Sequence, residues 1–257
     1  MSRFLLVIMI AFYLPASIWG QKTYVLSVGI ADYENINDLT ITENDAKVFE
    51  QLMRTQGAET TLLLGKNATH VNIISALRSV FAKATSQDKM IFYFSGHGYE
   101  GGFCCYDMAA SSATGAQKYL GGLSYAEMQI LFRNCRAGQK IVFADACFAG
   151  GLRKGNHINI SVQSARKGDV MYFLSSRTDE TSLEMADGNN SLFTYYLVKG
   201  LCGNADINSD KYITASEIFR YVHKEVSEYA AKIPHAQHPV MWGKFDSNMR
   251  LFNLNKK

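Results

Sequence analysis

The stretch that decides the fold is Lys89–Gly98, KMIFYFSGHG. Met90 to Phe94 is an unbroken apolar run, and Ser95-Gly96 stops it abruptly, leaving His97 between two glycines. A short apolar run without in/out alternation, bounded by turn residues, reads as a strand buried on both faces. Similar runs occur at Thr23–Ile30 (TYVLSVGI), Lys140–Ala146 (KIVFADA) and Asp169–Ser175 (DVMYFLS), with a short strand at Thr60–Leu64. Helical patterns separate them, at Glu43–Thr55, behind the turn-rich Asn35–Asp38, and at Val71–Ala84. Ser124-Tyr-Ala-Glu127 is a capping box opening a helix to about Asn134. Helices Leu192–Leu201 and Ala215–Ala231 close the chain. Buried strands alternating with helices predict an α/β fold with a central, mostly parallel sheet covered on both faces. In such sheets chemistry gathers beyond the carboxyl ends of the strands.

Composition narrows the function classes. With 47% hydrophobic and 19% charged residues the chain is globular rather than disordered, and its formal net charge of +3 gives no footprint for nucleic acid. Three prolines in 257 residues leave no linker, so one domain is expected. Arg3 precedes an apolar run from Phe4 to Leu14, too short to span a bilayer but suited to a signal peptide. The expectation is a signal peptide over 1–20 and a single domain over 21–257. The protein would be exported, with no stable membrane anchor after cleavage. Five cysteines, an odd number, leave at least one thiol free unless two chains pair, and no CxxC points to zinc. His235 and His238 form an isolated HxxH that reads as incidental.

Two predicted strand ends carry nucleophile chemistry. One delivers His97; the other, in FADACFAGG, delivers Cys147. If the two strands are parallel neighbours, an imidazole and a thiol emerge side by side. A thiolate attacks well, and an adjacent histidine takes its proton and later returns it to a leaving amine. Gly98 permits close backbone approach, so the amides of Gly98 and Cys147 are candidate oxyanion donors. Cys147 and His97 are therefore the candidate catalytic pair, acting on a protein or peptide.

YFSGHG and DACFAGG resemble the histidine and cysteine boxes of the caspase-like cysteine peptidases, closest to metacaspases and bacterial caspase homologues. LSVGIADYENINDLTITENDAKVFEQLM resembles that family's opening segment. FLSSRTDETSLE, LFTYYLVKGL and QHPVMWGKF resemble later ones, so the likeness spans nearly the whole mature chain. The resemblance implies a three-layer, doubly wound α/β sandwich and cysteine endopeptidase activity that needs no cofactor. Metacaspases cleave after Arg or Lys through an acidic pocket. Matching the motifs, that pocket corresponds to Asp45, Ser95 and Asp145, with Asp179 approaching through the RTDE loop. Two partly desolvated carboxylates favour a guanidinium, held bidentately. The chain departs from the metacaspase pattern at Thr42, which stands where a cysteine is usual. Its only acids between His97 and Cys147 are Glu100, Asp107, Glu127 and Asp145, too few for the family's calcium cluster. Two alternatives stand beside this reading: a catalytically silent caspase-fold binding protein, and a legumain- or gingipain-like peptidase of different specificity.

A different calcium candidate lies downstream. DINSDKYITASE, Asp206–Glu217, has the ligand spacing of an EF-hand loop. Asp206, Asn208 and Asp210 occupy positions 1, 3 and 5, with the Tyr212 carbonyl at 7, Thr214 at 9 and Glu217 at 12. Position 6 requires a positive φ and is usually glycine; Lys211 there costs about 1 kcal/mol. The competing expectation is a plain turn followed by a Thr214–Glu217 capping box.

Overall fold

The computed structural model describes residues 20–99, 101–111, 118–146, 170–177 and 180–256. Among these, six strands form one sheet: β1 (Thr23–Gly29), β2 (Glu59–Leu64), β3 (Lys89–Ser95), β7 (Gln139–Asp145), β8 (Val170–Leu174) and β10 (Val240–Gly243). Their spatial order is β10-β8-β7-β3-β1-β2, parallel except for the edge strand β10, which runs antiparallel to β8. The chain winds one way from β1 to β2 and the other way from β3 through β7 to β8. The order therefore reverses at β1, where α/β sheets open a crevice.

Period-two packing explains the unbroken apolar runs, because both faces are covered. Tyr24, Leu26 and Val28 of β1 and Met90, Phe92 and Phe94 of β3 point to one face. There they meet Ile73, Leu77 and Val80 of α2 (His70–Lys83) and Met128 and Phe132 of α3 (Tyr125–Asn134). Val25, Ile91, Tyr93, Ile141 and Phe143 point the other way. They pack on Phe49 and Met53 of α1 (Thr42–Thr55), Leu197 of α4 (Leu192–Lys199), and Ile218 and Val222 of α5 (Ala215–Ala230). Phe49 stacks on Tyr93 with ring centroids 4.4 Å apart. The three layers and the mostly parallel sheet match the expected architecture.

Other elements were not legible from the sequence. β4 (Gly98–Tyr99), β5 (Gly102–Ser111) and β6 (Lys118–Ser124) form a separate antiparallel sheet directly after His97. β9 (Tyr212–Thr214) pairs antiparallel with β11 (Arg250–Asn253). No helix among the described residues is long and apolar enough to cross a membrane.

α1 lies unusually close to the tip of β1. A Cβ built on Gly29 would sit 2.6 Å from the Thr42 carbonyl oxygen and 2.7 Å from the Ala46 Cβ, so only glycine fits. Thr42, the departure from the metacaspase pattern, ties the same junction by donating its hydroxyl to the Ile30 carbonyl at 2.6 Å. This contact sets the height of α1, and with it the position of Asp45.

Candidate active site

The condition that sequence reasoning placed on the site is met. β3 and β7 are parallel neighbours in direct register, with Ser95 paired to Asp145. The Gly96 amide continues the ladder by donating to the Asp145 carbonyl at 3.1 Å. His97 follows Ser95 by two positions, as Cys147 follows Asp145. Cys147 and Asp179 lie outside the described residues, so the structure places neither.

His97 is held on three sides. Its amide donates to the Tyr33 hydroxyl at 2.7 Å, and its carbonyl accepts from the Cys104 amide at 2.9 Å. Its Nε2 lies 2.9 Å from the Asn37 carbonyl oxygen. A carbonyl only accepts, so Nε2 carries the proton and Nδ1 of the neutral ring is left as the acceptor. That is the arrangement of a ring ready to take a proton. The Tyr33 ring packs against the imidazole, centroids 5.1 Å apart, and a Cβ on Gly96 would strike the Tyr33 hydroxyl at 2.6 Å. Tyr33 and Asn37 belong to the loop after β1, folded by the Leu39 amide donating to Ala31 and the Tyr33 amide to the Asp38 carboxylate. Sequence reasoning read this loop only as turn-rich.

Gly98 pairs with Phe103 across the β4–β5 ladder. The neighbouring bond runs from the Cys104 amide to His97, so the Gly98 position is non-hydrogen-bonded and its N–H is directed away from β5.

Both candidate pocket carboxylates are buried, Asp45 completely and Asp145 at 3% exposure. Ser95, also buried, donates to Asp45 Oδ2 at 3.0 Å. The Asn190 side chain and the Ser191 amide donate to Asp45 Oδ1 at 2.8 and 3.1 Å. Thr194 donates twice to Asp145 Oδ2, from its amide at 3.2 Å and its hydroxyl at 2.8 Å. The Ser191 hydroxyl lies within hydrogen-bonding distance of Asp45 Oδ2 and Asp145 Oδ2 at once. Burial, together with the nearby Asp145 charge, outweighs these donors and pushes Asp45 up to about 7. Burial likewise raises Asp145 against the hydrogen bonds from Ser191 and Thr194. In front of the pair lies a cavity of about 100 Å³, lined by Thr42, Ser95, His97, Asp145, Glu184 and Ser191 among others. Asn190, Ser191 and Thr194 were missed because an Asn-Ser pair before a helix reads simply as a cap. Only the fold brings them to α1 and β7.

The wall formed by residues 180–184 is fastened from behind by the closing segment. Buried Gln237 accepts from the Leu183 amide at 2.9 Å and donates to the Ser175 carbonyl at 3.0 Å. His238 donates its amide to Glu180 Oε2 at 2.7 Å, and its Nδ1 meets Oε1 at 2.6 Å. Burial works against the Glu180 charge, but these hydrogen bonds win and hold the carboxyl below its usual range. The HxxH thus braces a loop.

The four described cysteines are free thiols, three of them buried. Burial pushes Cys104 up to about 12 and raises Cys105, Cys135 and Cys202 as well. None has the lowered pKa of an activated nucleophile.

In the 206–217 loop, Lys211 takes the positive φ that the spacing requires, at 69°. Asp206, Asn208 and Asp210 accept amides of the loop itself, from Asp210, Lys211 and Tyr212. Glu217 closes the expected capping box with Thr214. No group of three or more His, Cys, Asp or Glu among the described residues converges on a cation position.

A family model described as the caspase domain matches residues 22–248. The chain belongs to the caspase-domain family. It is thereby a member of a family of cysteine peptidases, whose substrates are proteins. No curated protein matches the chain. Among solved structures, protein GSU0716 from Geobacter sulfurreducens is similar to this caspase domain. Its TM-score is 0.63 at 16% identity, over 91% of this chain and 98% of that one, a likeness of fold.

The support of His97 by Tyr33 is testable. Tyr33→Phe removes the acceptor of the His97 amide, at a cost of about 1 kcal/mol in stability. Letting the imidazole shift should lower kcat/KM roughly ten- to a hundredfold, more than that stability change explains. Urea unfolding and peptide kinetics on the same preparation check both halves.

Proposed function

We propose that this caspase-domain protein is an exported cysteine endopeptidase that cuts after Arg or Lys. Cys147 is the nucleophile and His97 its general base and acid. The observation that carries the reading is the register of Ser95 with Asp145, which sets His97 beside a cavity backed by two buried carboxylates. His97 Nδ1 takes the Cys147 thiol proton, and the thiolate adds to the scissile carbonyl carbon. The Gly98 and Cys147 amides receive the developing oxyanion. As the C–N bond breaks, His97 returns the proton to the leaving amine, and water then hydrolyses the thioester. The pocket of Ser95, Asp145 and Asp45 supplies negative charge to a guanidinium or ammonium. Export rests on the Arg3 and Phe4–Leu14 pattern alone.

Reporter peptides ending in Arg, Lys, Asn or Asp before the scissile bond test this directly. Arg and Lys peptides should be cleaved, and Cys147→Ala should lose about 10³-fold or more in rate while remaining folded. Preference for Asp or Asn, or a tenth of wild-type turnover in Cys147→Ala, contradicts the proposal.

Calcium at 206–217 is proposed from the spacing and has a separate test. Binding requires Glu217 to leave its Thr214 cap, so any gain is offset by the lost cap, worth about 1 kcal/mol. The expected result is a rise in melting temperature at millimolar calcium that disappears in Asp206→Ala. An unchanged melting temperature leaves the loop a capped turn.

A further inference from the structure

We infer that Asp45 and Asp145 share one proton through Ser191 in the unliganded protein, and that a cationic side chain entering the pocket expels it. The inference rests on the proposed basic specificity and deepens it.

The Ser191 hydroxyl has one proton but faces two carboxylate oxygens, Oδ2 of Asp45 and Oδ2 of Asp145. It donates to one of them. Toward the other it presents only a lone pair, which repels an ionised carboxylate. A proton on that second carboxyl turns the repulsion into a second hydrogen bond, giving a continuous carboxyl–hydroxyl–carboxylate chain. The surrounding donors do not relieve the problem. Ser95, Asn190 and the Ser191 amide are already committed to Asp45, and Thr194 to Asp145. Two like charges bridged by a single hydroxyl in a buried site do not both ionise readily, so the pair titrates as a unit. Burial raises both carboxyls, in agreement with this.

The titratable groups facing the pair, among the described residues, come from several elements. Asp45 sits on α1 and Asp145 at the end of β7. Tyr93 of β3 meets Thr194 with its hydroxyl, and burial raises it well above its ordinary value, so it stays neutral. His97 and Glu184 line the cavity in front. Among the described residues, no arginine or lysine lines it. Relative to the described lining, the entering side chain brings a positive charge to the pair.

Asp145 and Ser191 line the cavity, whereas Asp45 stands one layer behind. A guanidinium reaching Asp145 stabilises the doubly ionised pair and releases the proton. Ser191 is thus a positioning residue: it couples the hidden carboxylate to the exposed one, so the pocket presents one negative charge when empty and two when filled by a cation. Storing the second charge as a proton avoids two adjacent buried carboxylates in the empty protein.

The test uses the full chain carrying Cys147→Ala, which removes the proposed nucleophile, and agmatine, which bears the guanidinium of arginine. Titration calorimetry between pH 5.5 and 8.5, in phosphate and in Tris, reads the protons exchanged. Agmatine should release close to one proton at the acid end and progressively fewer as pH rises. Its Kd should fall about tenfold per pH unit until the pair is already ionised. In Asp45→Asn, which imitates the protonated acid, release should vanish and Kd become independent of pH. In Ser191→Ala, losing a donor to the charged form raises the pair's titration, so the pH dependence should move upward. Agmatine binding without proton release overturns the inference and leaves basic specificity standing. Release that persists in Asp45→Asn assigns the proton to His97 or Glu184 and also overturns it. Absence of agmatine binding at every pH removes the basic pocket, and the inference with it.

Discussion

The in-register parallel pairing of β3 with β7 is the constraint on which the site depends. Side chains alternate across a sheet, so a slip of one residue would exchange the two faces of either strand. The present register puts Tyr93 and Ser95, and Phe143 and Asp145, on the side of α1 and α4. It brings the chain beyond both strands to the same edge. That register is specified by burial: Phe92 and Phe94 on one face, and Ile91 and Tyr93 on the other, are all 1% exposed or less. The geometry of the candidate site is a by-product of packing a two-sided core.

The second constraint is electrostatic. Placing two carboxylates in a buried layer is costly unless each is hydrogen-bonded. The fold meets this with donors from three directions, β3 through Ser95, the 190–191 segment, and Thr194 of α4. The close approach of α1 to Gly29 fixes the height at which these donors reach Asp45. The shape of the candidate pocket and local stability are therefore coupled, because the groups that line the pocket also hold α1 and α4 against the sheet.

The sequence was legible where a single strand or helix carries the signal. The apolar runs gave the sheet, and the glycines around His97 and Cys147 marked the strand ends. The resemblance then pointed to Asp45, Ser95 and Asp145, which the fold brings together. Tyr33, Asn37, Ser191 and Thr194 were not legible, because a tyrosine in a turn or a serine before a helix acquires meaning only from what lies across space. β4–β6 escaped for a related reason: GFCCYDMAAS has no clean alternation, since Phe103, Cys104 and Cys105 are all buried. At 206–217 the spacing predicted the backbone correctly, including the positive φ at Lys211. The side chains, however, serve the loop's own amides and the helix cap.

The proposed function joins one nucleophile to one specificity, and covalent labelling examines both together. Two peptidyl acyloxymethyl ketones, identical except for Arg or Asp beside the reactive group, are incubated with the protein and the modified peptide is mapped by mass spectrometry. The Arg reagent should modify Cys147, and far faster than the Asp reagent does. Modification at one of the other four cysteines, or faster reaction with the Asp reagent, would contradict it.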